Sequence, residues 1–172
     1  MTNLSEHFTL EEFTYSSTAK SLGISNTPTD LHLKIMKHTC QYLLEPLRKL
    51  LLEEYKTTVY IKITSGYRSK ALNAKISGSS NTSQHCSGAA ADIEAYYFSN
   101  GVKKVIPYTT LYKLIKKWVS EKKISVDQCI EECSGGAKWV HVSHHPSGKT
   151  MDRRQFLRYN GKTYSSDGVI KW

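Results

Sequence analysis

Two histidines and one aspartate are the residues of this chain best suited to chemistry. The stretch SQHCSGAAAD places His85 and Asp92 seven residues apart, with small residues leading into the carboxylate. A further histidine, His141, stands in KWVHVSH. Two imidazoles and one carboxylate form a three-ligand set for a catalytic Zn²⁺, with the fourth position left to water. Such an ion lowers the pKa of water from about 16 to about 7, which makes hydroxide available at neutral pH. The small residues between His85 and Asp92 would let the chain bend back toward the ion. Spacing alone does not define the site, because single histidines more often serve as hydrogen-bonded structural or surface residues.

Ligands of this kind need rigid supports, and strands supply them. TVYIKITS alternates Val59, Ile61 and Ile63 against Tyr60, Lys62 and Thr64, the pattern of a half-buried strand. AAADIEAY predicts a second strand that begins beside Asp92. SVDQCIEEC and KWVHVSH predict two more, joined at SGGA, with His141 in the later one. SGSSNTSQH reads as a loop, and YNGKTY as a terminal hairpin around Asn160-Gly161. Cys129 and Cys133, four apart on a strand, would share one face as small core residues.

Helices surround this framework. Thr9 and Glu12 have the spacing of a capping box, with Phe8 and Phe13 at the staple positions. Leu33, Met36, Cys40, Leu43, Leu47 and Leu50 recur at steps of three and four, predicting a long helix from about Asp30 to Lys56. Pro46 should kink or divide it. YTTLYKLIKKWVSEKK predicts an amphipathic helix with Leu111, Leu114, Ile115, Trp118 and Val119 on one side. Strands and helices mix without a regular βαβ alternation, so the expected class is α+β.

The chain has 172 residues, which suits a single domain, 1–172. Residues 1–28 read as a helical segment and 146–172 as a tail. The apolar runs are broken by charge and proline, so no membrane span is expected. The N-terminus lacks a basic region followed by an apolar core, so no Sec signal is expected either. A formal net charge of +9 suits anionic partners. The lysines are scattered rather than gathered into a stripe, and there is no base-stacking RNA motif, so no dedicated nucleic-acid site is read. Four cysteines without a C-x-x-C pair fit reduced thiols.

SGYRSKALNAKISGSSNTSQHCSGAAADI followed by DQCIEEC and KWVHVS resembles the M15 family of zinc peptidases. The likeness is to the D-alanyl-D-alanine carboxypeptidase-like branch found in phage and bacterial cell-wall enzymes. The family pattern S-x-H-x-x-G-x-A-x-D is met by Ser83, His85, Gly88, Ala90 and Asp92. The later pattern W-[VI]-H-[VI]-S is met by Trp139, Val140, His141, Val142 and Ser143. The opening LSEHFTLEEF also resembles this branch, so the likeness runs from Leu4 to Ser143.

The resemblance implies a small antiparallel sheet carrying the zinc site and flanked by helices, as in Hedgehog and DD-peptidase folds. It assigns His85, Asp92 and His141 to Zn²⁺. It gives Arg68, in SGYRS, the substrate carbonyl or carboxylate, which a guanidinium fork suits. DQCIEEC matches a family strand whose glutamate acts as general base, pointing to Glu132 rather than Glu131. Strand alternation turns the two to opposite faces. CSGGAK reads as a longer turn than usual for the family, which leaves the register of Glu132 against His141 open. Ser83, Tyr67 and Trp139 are candidate substrate contacts. His144 and His145 read as rim residues, and His7, His32 and His38 as surface or structural ones.

The implied activity is hydrolysis of peptidoglycan stem or cross-link peptides by a monomeric lysin. Without a Sec signal, it would reach the wall after phage lysis or as part of a virion. Two rival readings stand beside it. One is a cysteine hydrolase with Cys86 as nucleophile, and the other is a non-catalytic wall-binding module with a structural zinc.

Overall fold

Thr9 opens the first helix as its spacing predicts. Its hydroxyl accepts the Glu12 N–H at 3.3 Å, and the Glu12 carboxylate accepts the Thr9 N–H at 2.9 Å. Two end donors are thereby satisfied reciprocally. Phe8 and Phe13 flank this cap and are buried. The computed structural model describes residues 2–172. After α1 (Leu10–Thr14) and α2 (Ser17–Leu22), the chain turns through SNTPT into α3 (Asp30–Thr39).

The long helix expected over Asp30 to Lys56 is three pieces. Between α3 and α4 (Glu45–Tyr55) lies one π-helical turn, Cys40–Leu44, in which the Glu45 N–H reaches back to the Cys40 carbonyl. A proline inside a helix lacks an N–H and crowds the carbonyl four residues back. The wider turn directly before Pro46 makes room there. The apolar stripe survives the change: Met36, Cys40, Leu43 and Leu47 are fully buried, joined by Leu44 and Leu51.

The remaining elements are β1 (Val59–Ser65), α5 (Lys70–Asn73), a 3₁₀ turn at Gln84–Ser87, β2 (Ala90–Ser99), β3 (Val102–Ile106), α6 (Tyr108–Ser120), β4 (Gln128–Ser134), β5 (Ala137–Ser143), β6 (Gln155–Tyr159) and β7 (Tyr164–Val169). Among the described residues the strands form one seven-stranded sheet in the order β1-β2-β5-β4-β6-β7, with β3 also pairing β2. The class is therefore α+β, as expected. The sheet is larger than expected and not wholly antiparallel, because β6 runs parallel to β4. The segment read as a tail supplies β6 and β7, and so becomes part of the sheet.

Two turns differ from the sequence reading. Asn100 and Gly101, with φ of 50° and 75°, close a β2–β3 hairpin that the reading passed over. Gly135 and Gly136, with φ of 56° and 83°, close the β4–β5 hairpin. Positive φ at both central residues is the tight two-residue turn that matches strand twist. CSGGAK is therefore a short turn, and it sets Glu132 opposite Trp139.

The sheet has two unlike faces. Ala91, Ile93, Ala95, Val140, Val142, Cys129 and Phe156 pack into the core with Leu111 and Ile115 of α6 and the apolar stripe of α3 and α4. Cys133, expected in this core, is only half-buried at the strand end. The opposite face carries Asp92, His141 and Glu132 into a cleft. No helix among the described residues is long and apolar enough to cross a membrane.

Phe156 shows what the last strands contribute, being fully buried with its ring edge-on to Tyr112 at 5.9 Å. Phe156→Ala is expected to cost about 3–5 kcal/mol. Urea denaturation followed by circular dichroism checks it, and a loss below about 1 kcal/mol would show that β6 is dispensable to the core.

Candidate metal and catalytic site

Asp92 on β2 and His141 on β5 are directly opposed in the antiparallel ladder. Their side chains meet, with His141 Nδ1 at 3.0 Å from Asp92 Oδ1. His85 arrives from the 3₁₀ turn, its Nε2 at 3.3 Å from the same oxygen and 3.2 Å from His141 Nδ1. The three residues are buried, and their ligand atoms lie within 4.8 Å of one another.

His85 is gripped from both sides by Gly66–Arg68. Its Nδ1 lies 2.6 Å from the Gly66 carbonyl, and its own carbonyl accepts the Arg68 N–H at 3.1 Å. Because a carbonyl only accepts, His85 carries its proton on Nδ1 and turns a bare Nε2 toward Asp92 and His141. Gly66 in turn sits against Phe13 of α1, where a Cβ would collide with the phenylalanine ring and backbone. The neighbouring Tyr67 N–H donates to the Phe13 carbonyl at 2.7 Å. Asn26 fastens the same segment, donating to the Thr14 and Tyr67 carbonyls and accepting the Ser69 N–H.

The small residues of SQHCSGAAAD have a packing role rather than the bending role expected of them. Gly88 takes φ 82°, and a Cβ there would lie 2.5 Å from Met36 Cγ of α3. Thr39 donates its hydroxyl to the Gly88 carbonyl at 3.1 Å. Ala89, Ala90 and Ala91 are fully buried. The crossing from His85 to Asp92 thus runs tight beneath α3.

This donor set fits a cation. With the His85 proton committed to Gly66, at most one proton, on His141, remains for three converging acceptor atoms. A buried carboxylate facing a bare imidazole nitrogen is costly without a positive charge between them. Burial pushes the His85 imidazole below its usual range, against the pull of Asp92, and so favours the neutral form that ligates.

Glu132 lies on the cleft face of β4, and Glu131 lies on the other, where its carboxylate is 3.6 Å from Arg158. Burial of Glu132, with the Asp92 charge adding to it, pushes its carboxyl up to about 7 against the pull of His141 and Arg68. Arg68 lines the cleft, and its Nε is buried with no hydrogen-bond partner among the described residues. Ser83, Tyr67 and Trp139 line the same cavity, which has a volume of about 800 Å³. The structure thus gathers all eight sequence-predicted site residues around one cleft. Cys86 is half-buried beside it, and burial raises its thiol against the pull of Arg68 and Lys70. That is the opposite of what an activated nucleophile needs.

His144 is not a rim residue. It is buried, with Nδ1 2.7 Å from the buried Asp152 carboxylate and its ring stacked on His38 at 5.1 Å. The chain turns after β5 and folds Asp152 over it. The structure also shows a residue that the sequence reading missed. Buried Asp127 accepts Gln84 Nε2 at 2.9 Å and the Arg153 Nε at 3.0 Å, tying the His85 turn to the start of β4. It opens the DQCIEEC motif, but nothing local shows its anchoring role, because its partners stand 43 and 26 residues away.

A profile of the Peptidase M15 family matches residues 6–106. The chain belongs to the peptidase M15 family, which makes it a hydrolase by class. The matched region includes His85, Asp92 and Arg68, while Glu132 and His141 lie beyond it. No curated protein and no solved structure matches the chain.

Two outcomes test this geometry. Gly66→Ala leaves all three donor residues in place but forces the Gly66 carbonyl away from His85. If the group holds a metal ion, this is expected to weaken its binding by about 10–100-fold, as loss of a supporting hydrogen bond to a ligand does, and titration of added Zn²⁺ against a chelator reads it. In chelator-stripped protein, Glu132→Gln is expected to raise stability by about 1–3 kcal/mol near pH 8. A carboxyl whose pKa is raised by folding destabilises the folded state once it must ionise. The gain should therefore fade as pH falls through about 7 toward about 4, where Glu132 is protonated folded and unfolded alike. A pH-independent difference in urea melts would place the burial effect elsewhere.

Proposed function

We propose that this chain is a zinc-dependent peptidase that hydrolyses peptidoglycan stem or cross-link peptides. The observation that carries the reading is the convergence of His85 Nε2, Asp92 Oδ1 and His141 Nδ1 in a cleft that also holds Glu132 and Arg68. These three atoms would hold Zn²⁺, which when bound supplies Lewis acidity to the attacking water and the scissile carbonyl. Glu132 takes the proton of that water on its carboxylate and passes it to the leaving amine. Its buried position strengthens it as a base, which suits a group that must accept a proton and pass it on. The Arg68 guanidinium binds the carbonyl oxygen as charge develops on it, or a substrate carboxylate. Ser83, Tyr67 and Trp139 hold the peptide.

The charge of +9 favours anionic wall polymers. We place the chain in the D-alanyl-D-alanine carboxypeptidase-like branch, with the Hedgehog/DD-peptidase arrangement of sheet and helices. In this reading it is one domain and a monomer. It acts on the wall as a lysin, released by phage lysis or carried in a virion.

Metal analysis of the purified protein, paired with mass spectrometry of digested peptidoglycan, tests the reading. Zinc at one ion per chain and new peptide termini are expected. His85→Ala and His141→Ala should each lose both zinc and cleavage. Glu132→Gln should keep zinc and lose about 10²–10⁴ in kcat, with Glu131→Gln close to wild type. Cys86→Ser should stay active, and its inactivity with zinc bound and the fold intact would favour a thiol nucleophile.

A further inference from the structure

The last strands reach the cleft as well as the core. Tyr159 of β6 is the register partner of Glu132 on β4, and Tyr164 of β7 is the partner of Tyr159. Register partners share a sheet face, so Glu132, Tyr159 and Tyr164 form one row. Both tyrosines line the cavity that holds the His–Asp–His group. Their rings stack at 4.4 Å and 28°. Tyr164 remains 56% exposed, a large aromatic side chain standing open beside a catalytic carboxylate.

The hairpin is built to stay where it is. Along β6, parallel pairing with β4 runs from Gln155 to Tyr159. At its tip Asn160 accepts the N–H groups of Lys162 and Thr163, and Gly161 packs against the Cys133 carbonyl at the end of β4. Behind it, Asp167 accepts the Tyr112 hydroxyl at 2.8 Å and pairs with Lys116 at 2.9 Å, both on α6. Phe156 holds the middle of β6 in the core. A two-strand ribbon pinned at tip, edge and back presents its tyrosines at a fixed position.

We infer that the β6–β7 hairpin is the wall of the cleft that binds substrate on the leaving-amine side of the scissile bond, with Tyr159 and Tyr164 as its specificity residues. This rests on the peptidase reading of the same cleft. Glu132 delivers the proton to the leaving amine, so whatever flanks Glu132 meets the part of the substrate attached to that amine. Paired tyrosines suit a peptide there: the ring faces take aliphatic side chains, and the hydroxyls take backbone carbonyls and amides. As a phenol, the Tyr164 hydroxyl can donate as well as accept.

The test uses two synthetic peptides spanning the bond that the wild-type holoenzyme cuts in purified peptidoglycan. One extends several residues past the bond on the amine side, and the other ends after one residue. Wild type is expected to prefer the extended peptide. Tyr164→Ala should lose about tenfold in kcat/KM on it, chiefly through KM, and with that loss most of the preference. Tyr164→Phe should retain the share that belongs to the ring. Tyr60→Ala, an exposed tyrosine of β1 outside the cleft, should match wild type on both peptides. An equal loss on both peptides, or a loss confined to kcat, would overturn the inference, since it would mark a structural or chemical role. So would a Tyr164→Ala protein that matches wild type on both. If wild type releases no peptide from any peptidoglycan, the proposed function fails first and the wall falls with it. Cleavage with an unaffected Tyr164→Ala removes the wall alone.

Discussion

The register between β2 and β5 is the constraint on which the site depends. Asp92 and His141 are opposed residues of one antiparallel ladder. A slip of one residue would turn one of them into the core and bring a valine or an alanine to the cleft in its place. The apolar residues on the other face oppose that slip. Ala91, Ile93, Val140 and Val142 are buried against the helices, and each alternates with a cleft residue. The hydrophobic core therefore sets the ligand geometry without touching it. The same phase, carried through the tight Gly135–Gly136 turn, brings Glu132 to the cleft and takes Glu131 away from it.

His85 obeys a different logic, because it lies on no strand. Its ring is aimed by the Gly66 carbonyl, whose position depends on the absence of a side chain at Gly66 and on Phe13 packed beside it. Phe13 belongs to a five-residue helix that would not persist alone, and its capping box and buried staple residues hold it to the sheet. The N-terminal segment thus reaches the His–Asp–His group through two contacts. Asp127 performs the matching task on the other side, joining the His85 turn to Arg153 and the start of β4.

The cleft gathers groups that folding alone would disfavour. Glu132 is a buried carboxyl close to the charge of Asp92, and the Arg68 Nε is buried with no partner among the described residues. Each is a cost to the folded chain that a bound cation and a polar substrate would offset. The structural carboxylates differ in this respect. Asp127 and Asp152 are each fully engaged by neighbouring donors.

Much of this was written locally in the sequence. The Thr9–Glu12 box, the alternation of β1, the faces of β4 and the stripe of α3 and α4 all depend on residues a few positions apart, where backbone geometry and side-chain period decide. The motif residues His85, Asp92, His141, Arg68 and Glu132 were legible because each sits in a short pattern. Asn100-Gly101 carries an equally local signal, for the turn into β3. What only the tertiary structure decided depends on partners far along the chain. The parallel return of β6 beside β4, the burial of His144 under Asp152, the anchoring by Asp127 and the Tyr159–Tyr164 wall beside Glu132 belong to this group. The π turn that accommodates Pro46 does too, because Met36 before it and Leu47 and Leu51 after it are buried in one core. Local pattern states which way a residue faces, and only the folded chain determines what it faces.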